Sequence, residues 1–118
     1  MKKIFSFNTL EILHAHTDKS VTEDIKFFSN KHKHLLNIKT IMTINDDEVL
    51  DNYLFRKFIE QLLNKISFDI DNRYYDDLAR YIRNKIIETF SNHDITIEIT
   101  DDNNSGYIFS YDEIDNFL

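Results

Sequence analysis

The stretch that decides the fold is His34-Leu35-Leu36-Asn37-Ile38-Lys39-Thr40-Ile41-Met42-Thr43-Ile44. Its even-numbered positions from 36 to 44 are apolar or Thr, while Asn37, Lys39 and Thr43 lie between them. Because side chains alternate between the two faces of a strand, this pattern predicts a β-strand over residues 34–44 with one buried face. The acidic turn Asn45-Asp46-Asp47-Glu48 comes next. Carboxylates favour the N-terminus of a helix, so we expect a helix to open there.

The residues downstream predict two helices and then two strands. The first helix carries apolar residues at four-residue spacing, which are Leu50, Leu54, Phe58, Leu62 and Ile66. The second runs over residues 73–90, with Asp71 or Asn72 as its cap. Its apolar side consists of Tyr74, Leu78, Ile82 and Ile86. Alternation over residues 95–100 predicts a third strand, and residues 103–106 predict a turn before a last strand at residues 107–111.

Upstream, residues 3–16 predict the first strand. They begin with Ile4-Phe5-Ser6-Phe7, although Leu10-Glu11-Ile12-Leu13 is also compatible with a helix. Residues 17–31 are polar apart from Phe27-Phe28, which predicts a long loop. The order β-β-α-α-β-β indicates an α+β fold in which two helices cover one face of an antiparallel sheet. We expect a single domain over residues 1–118, with open sheet edges that association with other subunits would protect.

Composition excludes several classes of function. The chain has 118 residues, a net charge of −7 and no cysteine, so disulfides, thiolate metal sites and a cysteine nucleophile are ruled out. The negative charge disfavours nucleic-acid binding; an acidic DNA mimic would fit the charge, but basic residues interleave with the carboxylates. No apolar run approaches the ~20 residues of a membrane span, and the N-terminus lacks a signal-peptide pattern. We therefore expect a cytoplasmic protein without a membrane partner.

Two pairs of histidines are the candidates for chemistry. His14 and His16 are two residues apart, as are His32 and His34, so each pair shares one face of its strand. If the two strands pair, three imidazoles could converge on one point, as in many catalytic zinc sites. The alternative is that residues 31–34 form a solvated basic patch. His93 lies in a polar turn, and we predict no function for it.

Five short motifs follow one another along the chain. They are Ala15-His16, His32-Lys33-His34, Ile70-Asp71-Asn72-Arg73-Tyr74-Tyr75, Leu78-Ala79-Arg80-Tyr81-Ile82 and Ile97-Glu98-Ile99-Thr100. Their order and spacing resemble the family of 6-pyruvoyl-tetrahydropterin synthase and of its bacterial relative, 6-carboxytetrahydropterin synthase of the queuosine pathway. The resemblance covers nearly the whole chain and implies the T-fold, in which subunits assemble through their sheets into rings. A homo-oligomer is therefore expected.

The resemblance also implies a site. His16, His32 and His34 would hold Zn²⁺ with a fourth position open, and His14 is the alternative to His16. The zinc would polarise a side-chain carbonyl or hydroxyl of a pterin such as dihydroneopterin triphosphate, from which the family eliminates triphosphate. Glu98 or Asp101 would bind the guanidine-like edge of the pterin through paired hydrogen bonds. Both are equally compatible with exposed carboxylates at the end of a strand.

The chain departs from the family where protons are transferred. The family's general base is a cysteine or a glutamate a few residues before the paired histidines, where this chain has Phe27-Phe28-Ser29. The catalytic base would then be His14, Glu23 or Asp24. Asp71 is retained but its usual histidine neighbour is Asn72, and capping of the second helix is the alternative role of Asp71. Three functions follow: a zinc-dependent pterin lyase, a non-catalytic T-fold binding or scaffold protein, or an enzyme like dihydroneopterin aldolase, which has the same element order and needs no metal.

Overall fold

The computed structural model describes residues 1–14, 32–66, 74–102 and 104–113, and for residues 13, 14, 32–34 and 74 it describes the backbone alone. The elements follow the predicted order. The strands are β1 (Lys2–His14), β2 (His32–Ile44), β3 (Ile95–Thr100) and β4 (Gly106–Tyr111), and the helices are α1 (Asn52–Asn64) and α2 (Tyr74–Phe90). Ala15 and His16, the predicted end of the first strand, lie outside the described residues, as does the predicted loop at 17–31.

The four strands form one antiparallel sheet in the order β1-β2-β3-β4. β1 and β2 pair along their whole length, from Lys2 opposite Ile44 to His14 opposite His32. β3 pairs with β2 only from Asn37 to Met42. The β1–β2 ribbon therefore extends past the end of β3, and the histidines lie on this extension.

One face of the sheet is buried under the two helices. The buried apolar side chains of the sheet are Ile4, Leu36, Ile38, Met42, Ile44, Ile95, Ile97 and Ile99. They form one core with α1, which packs over β1, and with α2, which packs over β3 and β4. On the opposite face Phe5, Phe7 and Leu35 are exposed. The predicted α+β class, the β-β-α-α-β-β order and the placement of both helices on one face are thus confirmed.

The details of α1 differ from the prediction. The helix begins at Asn52, and Asp51 caps it by accepting hydrogen bonds from the backbone N–H groups of Tyr53 (2.9 Å) and Leu54 (3.2 Å). The acidic turn at residues 45–48 precedes the helix instead of opening it. The predicted stripe is also wrong in part: Leu54 is 62% exposed, and the buried residues are Phe55, Ile59, Leu62 and Leu63. A strict four-residue spacing drifts around a helix of 3.6 residues per turn, so the buried face does not follow it.

The other elements match closely. The strand alternative for Leu10 to Leu13 is correct and the helical one is wrong. In α2, Leu78, Ile82 and Ile86 are buried as predicted. Within the described part of the chain, neither helix is long and apolar enough to cross a membrane.

Candidate functional site

The histidine-bearing end of the β1–β2 ribbon is the first part of the candidate site. The register places His14 directly opposite His32, and His34 opposite Ile12. Opposed residues in an antiparallel pair have Cα atoms about 4.5–5.5 Å apart and belong to the same face of the sheet. Positions 14, 32 and 34 therefore share one face, the one to which buried Leu36 also belongs. His16 lies outside the described residues, so the register brings His14 to this point.

The residues fit a zinc ion in their donor chemistry. Imidazole nitrogens are common zinc ligands, at about 2.0–2.1 Å from the ion, and opposed strand positions are close enough for two imidazoles to share one ion. No group of three or more His, Asp or Glu side chains suited to a metal occurs among the side chains that the structure describes. Those side chains do not include the histidines at 14, 32 and 34. The predicted metal set therefore remains a prediction.

The turn between β3 and β4 lies at the same end of the sheet, because Thr100 pairs with Asn37 at the root of the ribbon. Asp101 closes this turn. Its Oδ1 accepts from the backbone N–H and the hydroxyl of Ser105, both at 3.3 Å, and its own N–H donates to the Ser105 carbonyl at 2.8 Å. Asn104 supports the turn in a left-handed conformation with φ of 62°, which Asn tolerates better than most residues. Asp101 thus has a structural role beside any binding role.

Two tyrosines that were not predicted as site residues lie beside this turn. The ring of Tyr75, in the first turn of α2, lies 5.2 Å from the ring of Tyr107 on β4. Burial raises the pKa of the Tyr75 hydroxyl, and the charge of Asp101 raises it further. Like any tyrosine hydroxyl at neutral pH, that of Tyr75 is protonated and is a hydrogen-bond donor. The alternation of Tyr107, Phe109 and Tyr111 was the available signal, since it places three aromatic side chains on one face of β4.

Glu98 lies elsewhere. It alternates with buried Ile97 and Ile99, so it projects from the open face of the sheet, away from the helices. There its carboxylate forms an ion pair with Lys39 at 3.9 Å, and both side chains are about one-third exposed. The charge of Asp101, by contrast, raises the pKa of Tyr75 in α2, and Tyr75 packs on the helix-covered side of the sheet. Of the two predicted pterin anchors, Asp101 lies in the turn at the histidine end of the sheet, and Glu98 lies on the open face.

The remaining predicted residues, Glu23, Asp24 and Asp71, lie outside the described residues. The structure therefore places the backbone of His14, His32 and His34 and the Asp101 turn at the same end of the sheet, with Tyr75 at the start of α2 beside the turn. It places Glu98 on the other face.

A polar cavity of about 300 Å³ lies at the opposite end of the sheet. His93, for which no function was predicted, links the two turns around it. Its Nδ1 is 3.1 Å from the Ser91 carbonyl oxygen and its Nε2 is 3.4 Å from the Glu48 carboxylate. A hydrogen bond from the Asn45 backbone N–H to Glu48, aided by His93, lowers the pKa of the Glu48 carboxyl. His93 thus has a structural contact that its polar sequence context did not reveal.

Comparison with known proteins adds no relative: no family model, curated protein or solved structure matches this chain.

Proposed function

We propose that this protein binds Zn²⁺ through histidines of the β1–β2 ribbon and acts on a pterin, as a lyase or synthase of the 6-pyruvoyl- or 6-carboxy-tetrahydropterin synthase type. The observation that supports this most directly is the register of the ribbon. It opposes His14 to His32 and puts His34 on the same face. His32, His34 and either His14 or His16 would hold the ion. When bound, zinc would supply Lewis-acid polarisation of a substrate oxygen.

The chain's own residues would bind and orient the pterin at this end of the sheet. Asp101 is the proposed anchor for the guanidine-like edge, because a carboxylate can accept two parallel hydrogen bonds. Tyr75 and Tyr107 offer aromatic surface next to it. Tyr75, whose hydroxyl is protonated at neutral pH, would donate to a substrate oxygen or nitrogen.

One histidine cannot be both a zinc ligand and a general base, because the lone pair that binds the metal is no longer available for a proton. If His16 is the third ligand, His14 is left as the base. If His14 is the third ligand, the base is Glu23 or Asp24. Asp71, which precedes α2, is the remaining candidate for proton transfer.

The metal is tested first. Protein purified without a histidine tag should contain about one zinc ion per chain, measured by inductively coupled plasma mass spectrometry. His32→Ala should abolish the metal with little loss of stability, and His32→Ala with His34→Ala should do the same. His93→Ala is the matched control, since His93 lies at the far end of the sheet, and it should keep the zinc. Wild-type protein without zinc, or a His32→Ala variant with a full equivalent, would refute the site.

The reaction is tested next, by release of inorganic triphosphate from dihydroneopterin triphosphate. Release that depends on zinc and on His32 would support the lyase. The second function, a non-catalytic binding or scaffold protein, is favoured by two observations: the Asp101 carboxylate is engaged by Ser105, and the chain has no cysteine. Zinc and pterin binding without triphosphate release would decide for it. Turnover of dihydroneopterin without any metal would instead support the aldolase-like alternative.

We also propose that the chains form a homo-oligomer. Among the described strands, β4 is an edge of the sheet, and its Tyr107 and Ile108 are 57% and 69% exposed. An open strand edge with apolar side chains favours pairing with another chain. Sedimentation at several concentrations should show a species larger than a monomer that Ile108→Lys shifts toward the monomer.

A further inference from the structure

A groove runs along the free edge of β1, where the strand meets the start of α1. Two adjoining cavities of about 370 Å³ each make up this groove, and both include Phe5 and Asn52 in their walls. We call it the edge groove and define it by Lys2, Lys3, Phe5, Ser6, Tyr53 and Arg56. It is separate from the histidine end of the ribbon and from the β4 edge.

The edge groove is positively charged in a chain whose net charge is −7. Lys2, Lys3 and Arg56 line it, and none of its described lining residues is Asp or Glu. Among the described residues, these three cations form no ion pair with a carboxylate. Asp51 caps α1 and Glu60 pairs with Lys57. Glu48, whose carboxyl pKa the charge of Lys2 helps to lower, accepts a hydrogen bond from the Asn45 backbone and contacts His93. The groove therefore presents a local excess of positive charge.

The walls of the groove are apolar and aromatic between these charges. Phe5 is 52% exposed and Tyr53 57% exposed. α1 is joined to β1 by a pair of polar contacts: the Ser6 hydroxyl donates to Asn8 Oδ1 at 2.9 Å, and Asn8 Nδ2 donates to the Arg56 carbonyl at 3.4 Å. These contacts connect the two elements that form the walls of the groove.

The floor of the groove is a strand edge. Within the described chain, β1 pairs with β2 alone, so alternate backbone N–H and C=O groups on its other side face outward. A peptide in the extended conformation can bind such an edge as an added strand, with main-chain hydrogen bonds for affinity and side-chain contacts for specificity.

We propose that the edge groove binds an acidic peptide segment in extended conformation, as a fifth strand beside β1. Carboxylates on one face of the peptide would contact Lys2 and Arg56, which lie on the helix side of β1, and apolar side chains on its other face would contact Phe5 on the open side of the sheet. A peptide is favoured over a single-stranded nucleic acid because the groove offers a row of main-chain donors and acceptors that a peptide backbone can pair with.

Fluorescence anisotropy tests this with a labelled eight-residue peptide that alternates Glu and Val. We expect saturable binding that Lys2→Glu with Arg56→Glu weakens on the order of tenfold, the effect of reversing two exposed charges on the same side of β1. The control variant, Lys65→Glu with Lys85→Glu, has the same change of charge outside the groove and should bind as the wild type does. Lys2→Glu with Lys3→Glu is a second groove variant, and circular dichroism confirms that each variant is folded.

Two further peptides separate strand addition from simple charge attraction. The same Glu-Val peptide with alternate amides N-methylated cannot add as a strand and should bind at least tenfold more weakly. A Lys-Val peptide should not bind.

The proposal is overturned if the N-methylated peptide binds equally well, if the control variant loses binding as the groove variants do, or if no peptide binds. It is also overturned if oligo-uridine binds in place of the peptide. A further contrary outcome is that the wild-type protein does not bind the peptide but self-associates, and that the groove variants abolish this self-association. In that last case a second copy of the chain is the occupant.

Discussion

The single glycine of the chain, Gly106, should not tolerate even a methyl group. It begins β4 and pairs with Thr100 at the end of β3. Its φ is not in the left-handed region, so its backbone conformation suits any residue. On conformation alone, Gly106→Ala should stabilise the protein by about 0.4–1 kcal/mol, because alanine restricts the unfolded chain.

Contacts reverse this expectation. A Cβ atom at position 106 would lie 2.7 Å from the carbonyl carbon of Ile99 and 2.8 Å from the Cα of Thr100, against about 3.4 Å for an ordinary contact, and it would meet the Ile99 carbonyl oxygen as well. All three atoms are backbone of β3, whose Ile99 is fully buried. β4 must therefore move outward by more than about 0.7 Å. Overpacking costs about 1–3 kcal/mol and each weakened hydrogen bond about 1 kcal/mol, so we expect a net loss of about 2–4 kcal/mol.

Urea unfolding followed by circular dichroism measures this loss. With a slope of about 2 kcal/mol per molar urea, in the middle of the usual range, the midpoint should fall by about 1–2 M. Ser110→Ala is the control, since Ser110 is an exposed residue of the same strand, and it should change stability by less than about 0.5 kcal/mol. If Gly106→Ala is unchanged or more stable than wild type, the close approach of β3 and β4 at this position is refuted.

Three other perturbations test other parts of the structure. Asp51→Ala removes the N-cap of α1 and should cost about 1 kcal/mol in urea unfolding, whereas Asp51→Asn, which can still accept the two hydrogen bonds, should cost much less; equal losses would contradict the cap. The Glu48 carboxyl has a pKa lowered from its ordinary 4.5, so the stability it contributes is complete above that value and is lost as the pH falls through the folded-state pKa. Glu48→Gln should therefore reduce the acid sensitivity of the urea midpoint below about pH 4.5. An unchanged pH profile would contradict this. The raised pKa of Tyr75 means that folding loses stability as the pH rises above 10, and Tyr75→Phe should remove a late component from the ultraviolet titration of the tyrosines; a titration curve that differs only in amplitude would count against it.

The sequence predicted the elements well because each carries a clear period. Ile95, Ile97 and Ile99 alternate with polar residues and are all buried, and Leu78, Ile82 and Ile86 lie on the buried side of α2. It failed at the start of α1, where two acidic groups compete for the role of cap. The acidic residues at 46–48 have the same hydrogen-bonding groups as Asp51. Which of them caps α1 therefore depends on the three-dimensional path of the turn.

The candidate site was predicted less completely. The histidine register could be expected from the spacing of two paired strands, since residues two apart share a face. The proximity of Tyr75 and Tyr107 could not, because their rings meet only when α2 packs on β4. The faces that Glu98 and Asp101 occupy depend on the strand register, since a shift of one residue changes the face.

The extension of the β1–β2 ribbon past β3 has a consequence for how ligand binding would be detected. Residues 32–36 have a neighbouring strand on one side among the described elements, whereas residues 37–42 have one on each side. A two-stranded ribbon is marginally stable by itself, so local opening of residues 32–36 should cost less free energy than global unfolding. An ion or substrate held at His32 and His34 would protect this segment selectively. Amide hydrogen exchange at residues 32–36 should therefore respond to occupancy of the site well before the melting temperature of the whole protein does.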